Sequence, residues 1–238
     1  MERMYEGKAK IVYRTEDPER VLMRFKDDAT AFNGQKKGAI ADKGRVNAGI
    51  SAAVFRYLEG EGIATHYLAQ PAPDELTVRH LTMLPLEVVV RNRAAGSFSR
   101  RLGIEEGRAF SAPVVEFYLK DDALGDPLLN RHHIRALGLA EEGEADRLEE
   151  QALRINELLR RYFAARDLEL VDFKLEFGRA AGELILGDEI TPDTCRLWQV
   201  GSGERMDKDR FRRDLGGVEE AYQEVFRRVV PQGEKRED

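Results

Sequence analysis

Charged side chains alternate with apolar ones over residues 171–177, in the stretch VDFKLEF. In a β-strand this spacing places Asp172, Lys174 and Glu176 on one face. The opposite face would then be an apolar floor made of Val171, Phe173, Leu175 and Phe177. Two carboxylates and a lysine on a common face suit a hard divalent cation and a phosphate chain. The alternative is a hairpin whose charged face is simply solvated, for which such alternation is also typical.

A returning strand would add a further carboxylate to this face. Residues 178–182 are typical of a turn, and residues 183–190 of the second strand of a hairpin. If the loop holds an odd number of residues, cross-strand partners have numbers of the same parity, and Asp188 joins Glu176. The segment Thr191-Pro192-Asp193 predicts a turn right after the acidic pair Asp188-Glu189, at a strand end where binding residues are often found.

Two lysines near the N-terminus are candidates for phosphate binding. Gly7 lies between two predicted strands, and Lys8 and Lys10 follow it. Glycine permits a close approach of the backbone, and the two ammonium groups could reach phosphate oxygens. The chain has no G-x-x-x-x-G-K-[ST] sequence, so this is not a Walker loop, and an ordinary hairpin turn is the alternative.

An apolar strand predicted at 86–90 runs into the sequence RNRAAGS. Arg91 there offers a planar pair of donors, and Ser97 and the loop amides add others, which together are typical of an anion site. A solvated basic turn explains the same composition. Arg196 follows the acidic hairpin beside Trp198, the only tryptophan of the chain.

The remaining elements must position these residues. Apolar residues at helical spacing predict three helices, at 45–58, 146–163 and 219–230. The longest of them should pack against the sheet that carries the hairpin. Further short strands are predicted at 63–69, 75–79 and 114–119. Residues 26–44 have little periodicity, so we expect a functional loop without regular structure there.

Composition limits the classes of function. The 238 residues suffice for one large domain or two intimate lobes, with 42% hydrophobic and 34% charged residues. A net charge of −6 argues against sequence-independent nucleic-acid binding, and no run is apolar and long enough to predict a membrane span. The single cysteine, Cys195, excludes an internal disulfide and suits the reducing cytoplasm, where we expect the protein.

Lysine is rare in this chain, with 10 residues against 28 arginines. Most of the lysines fall in Gly- or Asp-rich, motif-like stretches. A compact ammonium is not equivalent to a guanidinium at a phosphate or proton-transfer site. The lysines therefore mark candidate site residues.

Several of these stretches, taken in order, resemble one known family. They are YEGKAK, DDATAFNG followed by KK, VVVRNRAAGS, FYLKDD followed by DP, VDFKLEFG, GDEITPDTCRLW and MDKDRFR. Together they are similar to the phosphoribosylaminoimidazole-succinocarboxamide synthase (SAICAR synthetase) family of purine biosynthesis. The resemblance runs from Tyr5 to about Tyr222, which is nearly the whole chain.

The resemblance implies a two-lobed α+β fold with kinase-like ATP-binding features, built from antiparallel sheets and packed helices. Residues 1–85 would form a small, mainly antiparallel lobe that covers ATP, and residues 86–238 a larger α/β lobe with the substrate and metal sites. It also implies an ATP- and Mg²⁺-dependent ligase that joins L-aspartate to the carboxylate of carboxyaminoimidazole ribonucleotide (CAIR), giving SAICAR, ADP and phosphate. The partners would be these small molecules rather than nucleic acid or membrane, with a homo-oligomer, most simply a dimer, as a further expectation.

Site residues follow from the same resemblance and divide by role. They are Lys8 and Lys10 for the ATP phosphates, Glu176 and Asp188 for Mg²⁺ in the same cofactor site, Lys174 and Asp172 for catalysis beside the imidazole substrate and its carboxylate, Arg91, Ser97 and Arg196 for the phosphate of the ribonucleotide, and Lys120 and Asp126 for aspartate or the nucleotide ribose. The chemistry requires such groups, because a carboxylate is a poor electrophile until phosphorylation supplies a leaving group. Phosphoryl transfer then depends mainly on positioning and charge neutralisation.

Two other kinds of function use part of the same residues. A kinase would need the ATP and metal groups, but the His-Arg-Asp and Asp-Phe-Gly signatures of protein kinases are absent from the sequence. A non-catalytic nucleotide-binding protein would not need Lys10, Glu176, Asp188 and the Arg91 segment together.

Overall fold

Two antiparallel sheets organise the chain, of which the computed structural model describes residues 1–31 and 35–231. The first sheet has five strands in the spatial order β1-β2-β3-β7-β6. Its strands are β1 Arg3–Glu6, β2 Lys10–Arg14, β3 Arg20–Phe25, β6 Tyr67–Ala72 and β7 Glu75–Arg79. The strand predicted at 75–79 is confirmed, whereas the one predicted at 63–69 begins four residues later.

The second sheet has six strands in the order β10-β9-β8-β11-β12, with β13 also paired to β11. These strands are β8 Thr82–Arg93, β9 Ala109–Leu119, β10 Leu128–Leu129, β11 Leu168–Ala180, β12 Glu183–Gly187 and β13 Cys195–Gln199. The predicted α+β class with antiparallel sheets is confirmed. The expected division after residue 85 falls inside β8, and the last seven residues of the expected large lobe lie outside the described part of the chain.

Strand β11 is the centre of the second sheet. One edge pairs with β8, while the other pairs with β13 in its first half and with β12 in its second half. The register against β13 shifts between Leu170 and Asp172, so the alternation of side chains slips there. Val171 consequently packs in a separate cluster with Ala95 and Trp198, and its predicted place in the apolar floor is wrong. The rest of the floor lies in the main core, as predicted: Phe173, Leu175 and Phe177.

The hairpin of β11 and β12 is tighter than the sequence suggested. Only Ala181 and Gly182 connect the strands, and Ala180 pairs with Glu183. With two loop residues the cross-strand partners have opposite parity, and Glu176 faces Gly187 rather than Asp188. The premise of an odd loop is therefore wrong, and pairing does not place Asp188 on the Glu176 face.

In the described part of the chain, six α-helices pack around the sheets: α1 Lys43–Gly60, α2 Gly96–Leu102, α3 Arg131–Ala136, α4 Glu144–Ala164, α5 Asp209–Arg212 and α6 Val218–Val229. The three long ones confirm the helices predicted from apolar spacing. Helix α4 packs against β8, β9 and β11, as expected, and α1 packs against the first sheet and α6. Among the described residues, no helix is both long and apolar enough to cross a membrane.

The segment 26–44 is not the irregular loop that was expected. It contains a two-stranded hairpin of β4 Asp28–Ala31 and β5 Lys36–Ala39, with residues 32–34 outside the described part. The pairing runs from Asp28 with Ala39 to Ala31 with Lys36. Short, polar strands of this kind carry little apolar alternation, which is why the sequence pattern does not reveal them.

Candidate active site

One pocket receives side chains from both sheets. Its volume is about 840 Å³, within the range typical of small-molecule sites. Every predicted site residue except Ser97 lines it: Lys8, Lys10, Arg91, Lys120, Asp126, Asp172, Lys174, Glu176, Asp188 and Arg196. The sequence therefore predicted the composition of this pocket well, and its charged groups divide into two ends.

The arginine end is a row of three residues on neighbouring strands. Asp172 of β11 is paired in register with Arg91 of β8 on one side and with Arg196 of β13 on the other. Its carboxylate accepts a hydrogen bond of 2.7 Å from Arg91 Nη1 and one of 2.9 Å from Arg196 Nη1. Directly opposed residues of opposite charge stabilise a sheet, so the backbone pairing itself holds this row together.

Arg91 is buried, and each of its nitrogens donates a hydrogen bond. Besides Asp172, it contacts Glu116 at 2.7 Å through Nε and the Tyr118 hydroxyl at 3.2 Å through Nη2. The same Nη2 donates to Ser97 Oγ at 3.3 Å. Ser97 thus contacts the site through Arg91 rather than by lining the pocket.

Arg196 depends on a glycine for its position. Gly96 begins α2 with φ +55°, and a Cβ added there would lie 2.6 Å from Arg196 Cζ. On its other side, Arg196 Nε donates to Asp209 Oδ2 at 2.8 Å. The guanidinium is therefore held between an acidic side chain and a close backbone segment, which explains why glycine follows the two alanines of the RNRAAGS motif.

The lysine end contains two carboxylates that face each other directly. Glu87 of β8 is the cross-strand partner of Glu176 of β11, an arrangement that is destabilising without a cation. Lys174 Nζ supplies that cation, at 2.7 Å from Glu87 Oε1 and 2.8 Å from Glu176 Oε1. Lys120 forms an ion pair with the second oxygen of Glu176.

Asp188 enters this end of the pocket by a backbone turn. It directly follows β12 with φ +60°, in the left-handed region that aspartate tolerates better than most residues. Its Oδ1 lies 2.7 Å from Lys10 Nζ, which also contacts Glu189 at 2.8 Å. Burial disfavours the ionised form, but Lys10, Lys174 and nearby Lys120 outweigh it and hold the pKa of Asp188 below its usual range.

Lys174 remains a cation in this environment. Burial alone would lower its pKa, but Glu176, Glu87 and Asp188 more than offset that effect and raise the pKa well above the ordinary value. A lysine in this state donates hydrogen bonds and positive charge, which suits Lys174 to orient and neutralise anions.

Comparison with known proteins identifies the family and the fold. The SAICAR synthetase family model matches residues 3–229. This chain belongs to the SAICAR synthetase family. Phosphoribosylaminoimidazole-succinocarboxamide synthase of Prosthecochloris aestuarii is 57% identical over 227 residues, covering 95% of this chain and 97% of the relative. The enzyme of the same name from Coprothermobacter proteolyticus is 54% identical over 227 residues, covering 95% and 96%.

Solved structures agree with this assignment. The crystal structure of the synthase of Ehrlichia chaffeensis superposes with a TM-score of 0.95 at 42% identity, covering 97% of this chain and all of the other. A SAICAR synthetase in complex with ADP superposes with a TM-score of 0.92 at 45% identity, covering 98% of this chain and 100% of that one. The resemblance inferred from the sequence motifs is confirmed over the whole fold.

The donor set of this SAICAR synthetase family member fits a magnesium ion. Glu176 and Asp188 both line the pocket and both supply carboxylate oxygens. In the described part of the chain, no group of three or more His, Cys, Asp or Glu side chains is arranged around one metal position. Mg²⁺ needs only one or two protein carboxylates when phosphate oxygens and water complete its octahedron.

Two further predicted residues lie at the edge of the pocket. Lys8 Nζ contacts Asp122 Oδ1 at 2.6 Å and is exposed, so it bridges the first sheet to the segment after β9. Asp126 has φ +50°, and its Oδ1 accepts a hydrogen bond of 3.1 Å from the amide of Asp121. Asp126 therefore shapes the turn that carries Lys120 and Asp122.

Six charged residues that line the pocket were not among the predicted site residues: Glu87, Asp122, Glu189, Asp193, Lys208 and Arg212. Glu87 lies on the same strand face as Arg91, four residues away, and this spacing was a readable signal. Lys208 and Arg212 belong to the MDKDRFR motif, but their positions at the pocket depend on how α5 docks. Asp193, whose side chain is almost fully buried, accepts hydrogen bonds from Tyr222 at 2.6 Å and from Lys43 at 2.9 Å.

Helix α1 anchors the segment between β12 and β13. Three buried polar residues, Lys43, Asn47 and Ser51, follow one another at four-residue intervals on one face of this helix. Lys43 binds Asp193, and Ser51 accepts a hydrogen bond from the amide of Ile190 at 3.3 Å. The segment that carries Asp188 is thus tied to the helix on its far side.

Proposed function

We propose that this protein catalyses the ATP-dependent ligation of L-aspartate to CAIR, giving SAICAR, ADP and phosphate. The observation that carries the proposal is a single pocket with two separate cationic ends, one built of arginines around Asp172 and the other of lysines around Glu176 and Asp188. A ligase that uses ATP and a phosphorylated substrate needs two phosphate sites. Membership in the SAICAR synthetase family supplies the identity of the substrates.

The lysine end would bind ATP. Lys8 and Lys10 reach it from the first sheet, and Glu176 and Asp188 would hold Mg²⁺. The bound metal would neutralise the phosphate oxygens as charge shifts to the leaving ADP. We also propose that the first sheet, within residues 1–85, acts as the small lobe that covers the nucleotide.

The arginine end would bind the phosphate of CAIR. Arg196 and Arg91 line the pocket, while Ser97 supports Arg91. Asp172, predicted as a catalytic residue, is bonded to both arginines, so we assign it the narrower role of positioning them. This arrangement would fix the ribonucleotide and aim its imidazole carboxylate toward Lys174, which lies one strand repeat along β11.

The reaction requires two bond exchanges. A carboxylate oxygen of CAIR attacks the γ-phosphorus of ATP, and the bond to ADP breaks. The aspartate amine then attacks the activated carbon, phosphate leaves with the oxygen that it received, and the amine loses a proton. Because Lys174 remains a cation, it would orient and neutralise the carboxylate and the departing phosphate. Lys120 and Asp126 remain our candidates near aspartate or the ribose.

The cellular setting is a further part of the proposal. The buried, single Cys195 suits a reducing compartment, and we place the reaction in the cytoplasm. We expect a homodimer, which light scattering of the purified protein tests directly.

Isotope transfer tests the reaction. With CAIR labelled by ¹⁸O in its carboxylate, activation by phosphorylation carries one labelled oxygen into the released inorganic phosphate. Release of ADP should depend on aspartate during sustained turnover, whereas a kinase would ignore aspartate. Unlabelled phosphate formed together with SAICAR would exclude this mechanism, and failure to form SAICAR would exclude the proposed reaction.

A further inference from the structure

The carboxylates assigned to the metal are already engaged by lysines. Both oxygens of Glu176 are taken, one by Lys174 at 2.8 Å and the other by Lys120. Asp188 Oδ1 is taken by Lys10 at 2.7 Å. A divalent cation needs these same oxygens, so the metal and the ammonium groups compete for them.

The three lysines differ in what else holds them. Lys174 has Glu87 as a second partner at 2.7 Å, and Lys10 has Glu189 at 2.8 Å. Lys120 has Glu176 as its only ion-pair partner among the residues that the structure describes. Its side chain is also the most exposed of the three, at 38% against 28% for Lys174 and 11% for Lys10.

These differences separate fixed lysines from a movable one. If Glu176 and Asp188 coordinated a metal ion, Lys174 would keep its ion pair with Glu87, and Lys10 would keep its ion pair with Glu189. Lys120 would lose its partner, and an ammonium lining a phosphate pocket would find its next partner in a phosphate oxygen. The long, flexible lysine stem allows this change without backbone movement.

We propose that Lys120 is an exchangeable counterion, which neutralises Glu176 before the nucleotide binds and transfers to a phosphate oxygen when the metal–nucleotide complex binds. This inference rests on the proposed function, because it takes Glu176 as a metal ligand. It makes metal binding and nucleotide binding mutually dependent. The metal alone competes poorly with Lys120, whereas the complex supplies both a new partner for the carboxylate and a new partner for the lysine.

The test uses Mn²⁺, which takes the same oxygen ligands and whose free aquo ion is counted by electron paramagnetic resonance. Mn²⁺ affinity is measured without nucleotide, and ADP affinity is measured with saturating Mn²⁺, in wild type and Lys120→Met. The variant should bind Mn²⁺ alone about 5-fold more tightly and bind ADP about 5-fold more weakly, within the usual range of coupling between ligands. These opposite signs are the signature of exchange.

Lys208→Met is the matched control. Lys208 lines the same pocket, but its carboxylate neighbour is Asp193, at 3.5 Å, and not Glu176. Removing its charge tests the general electrostatic field, and we expect less than about 2-fold change in Mn²⁺ affinity. An equal gain of Mn²⁺ affinity in both variants would show that the loss of a nearby positive charge is sufficient to explain it, and would overturn the proposal.

Other outcomes are equally decisive. Weaker binding of both Mn²⁺ and ADP in Lys120→Met would make Lys120 a structural residue, and unchanged Mn²⁺ affinity would make it a simple phosphate ligand. Either result overturns the exchange. Glu176→Gln distinguishes failure of the Lys120 exchange from failure of the proposed function. If Mn²⁺ binding in the presence of ADP is unchanged in that variant, the assignment of Glu176 as a metal ligand is wrong. Circular dichroism confirms that each variant is folded.

Discussion

The two ends of the pocket are built on the same central strand, yet they use different cations in different ways. At the arginine end, Asp172 lies between Arg91 and Arg196, and opposite charges face each other in register. At the lysine end, two like charges, Glu87 and Glu176, face each other and depend on lysine for neutralisation. One end is held by opposite charges paired across the sheet, and the other by lysine side chains that neutralise like charges.

This difference follows from the chemistry of the two side chains. A guanidinium is planar and directs several donors at once, so it forms a fixed site for a phosphate whose charge stays constant. An ammonium is a point charge on a flexible stem and changes partners easily. Of the 10 lysines in the sequence, five in the described part of the chain line the pocket, namely Lys8, Lys10, Lys120, Lys174 and Lys208. Of the 28 arginines, three in that part do so: Arg91, Arg196 and Arg212.

Removing a carboxylate from the lysine end should have the largest effect. Glu176→Gln and Asp188→Asn should each lower turnover at least ~10²-fold, or about 2.7 kcal/mol of barrier, because the triphosphate would be poorly neutralised. Folding should survive, since Lys174 keeps Glu87 and Lys10 keeps Glu189. Steady-state kinetics at saturating Mg²⁺ provide the measurement, and near-normal turnover in either variant would refute the metal assignment.

Arg91→Lys should weaken CAIR binding at the arginine end of the pocket selectively. One ammonium cannot replace donors to Asp172, Glu116 and Tyr118 together, so CAIR affinity should fall about 10- to 30-fold, or about 1.4–2 kcal/mol. ATP affinity should change little, as separate titrations of the two ligands will reveal.

Arg101→Lys is the control for that experiment. Arg101 contacts the same Glu116 and Tyr118 but does not contact Asp172, and it is partly exposed. We expect less than about 3-fold loss of CAIR affinity in this variant. A loss in Arg91→Lys that is confined to ATP would move Arg91 to the nucleotide site.

Gly96→Ala should displace Arg196 without removing any charge. The new methyl group would overlap the guanidinium, and φ +55° adds backbone strain. We expect CAIR affinity, measured by titration, to fall about 5- to 10-fold, or about 1–1.4 kcal/mol. Gly103→Ala carries similar strain at φ +63° with no atom within 4 Å, so it should lose stability and keep CAIR affinity. Equal loss of affinity in both would show that strain alone is responsible.

His66→Phe should produce the smallest effect, on stability rather than binding. His66 is buried edge-on against Phe55, and burial lowers its pKa from 6.5 to about 4. Between pH 6.5 and pH 4, His66 is protonated in the unfolded chain but stays neutral in the folded protein. This residue therefore makes the free energy of unfolding fall as the pH decreases from 6.5 to 4. Between pH 7.5 and pH 5.5, the free energy of unfolding of the wild type should fall by about 1 kcal/mol more than that of the variant, as measured by urea unfolding.

The opposing contribution of Asp207 cancels in this comparison. Burial and the nearby Asp209 raise its pKa to about 7, so it makes stability fall as pH increases from about 4 to 7, in both proteins alike. Equal pH profiles for wild type and His66→Phe would mean that His66 is not held neutral by the fold.

The long helices and the charged face of β11 could be predicted from the sequence because their signals are local. Helix α4 repeats an apolar residue every third or fourth position. The five residues of this apolar stripe are all buried: Leu148, Ala152, Ile155, Leu159 and Tyr162. The hairpin of β4 and β5 could not be predicted, because short polar strands are stabilised by pairing and not by an apolar pattern.

The side chains that could do chemistry can be identified in the amino-acid sequence, and so can the common face of Asp172, Lys174 and Glu176, because the direction of a side chain along one strand depends only on parity. The partners of these residues depend on how the strands assemble. The pairing of β11 with β8 and β13 places two arginines beside Asp172. Because the turn between β11 and β12 has two residues, strand pairing does not place Asp188 on the face of Glu176, and Asp188 lines the pocket through its backbone conformation at φ +60° instead. Register and neighbour choice depend on pairing across the whole chain, and a change of one loop residue inverts every parity, so no local pattern could supply them.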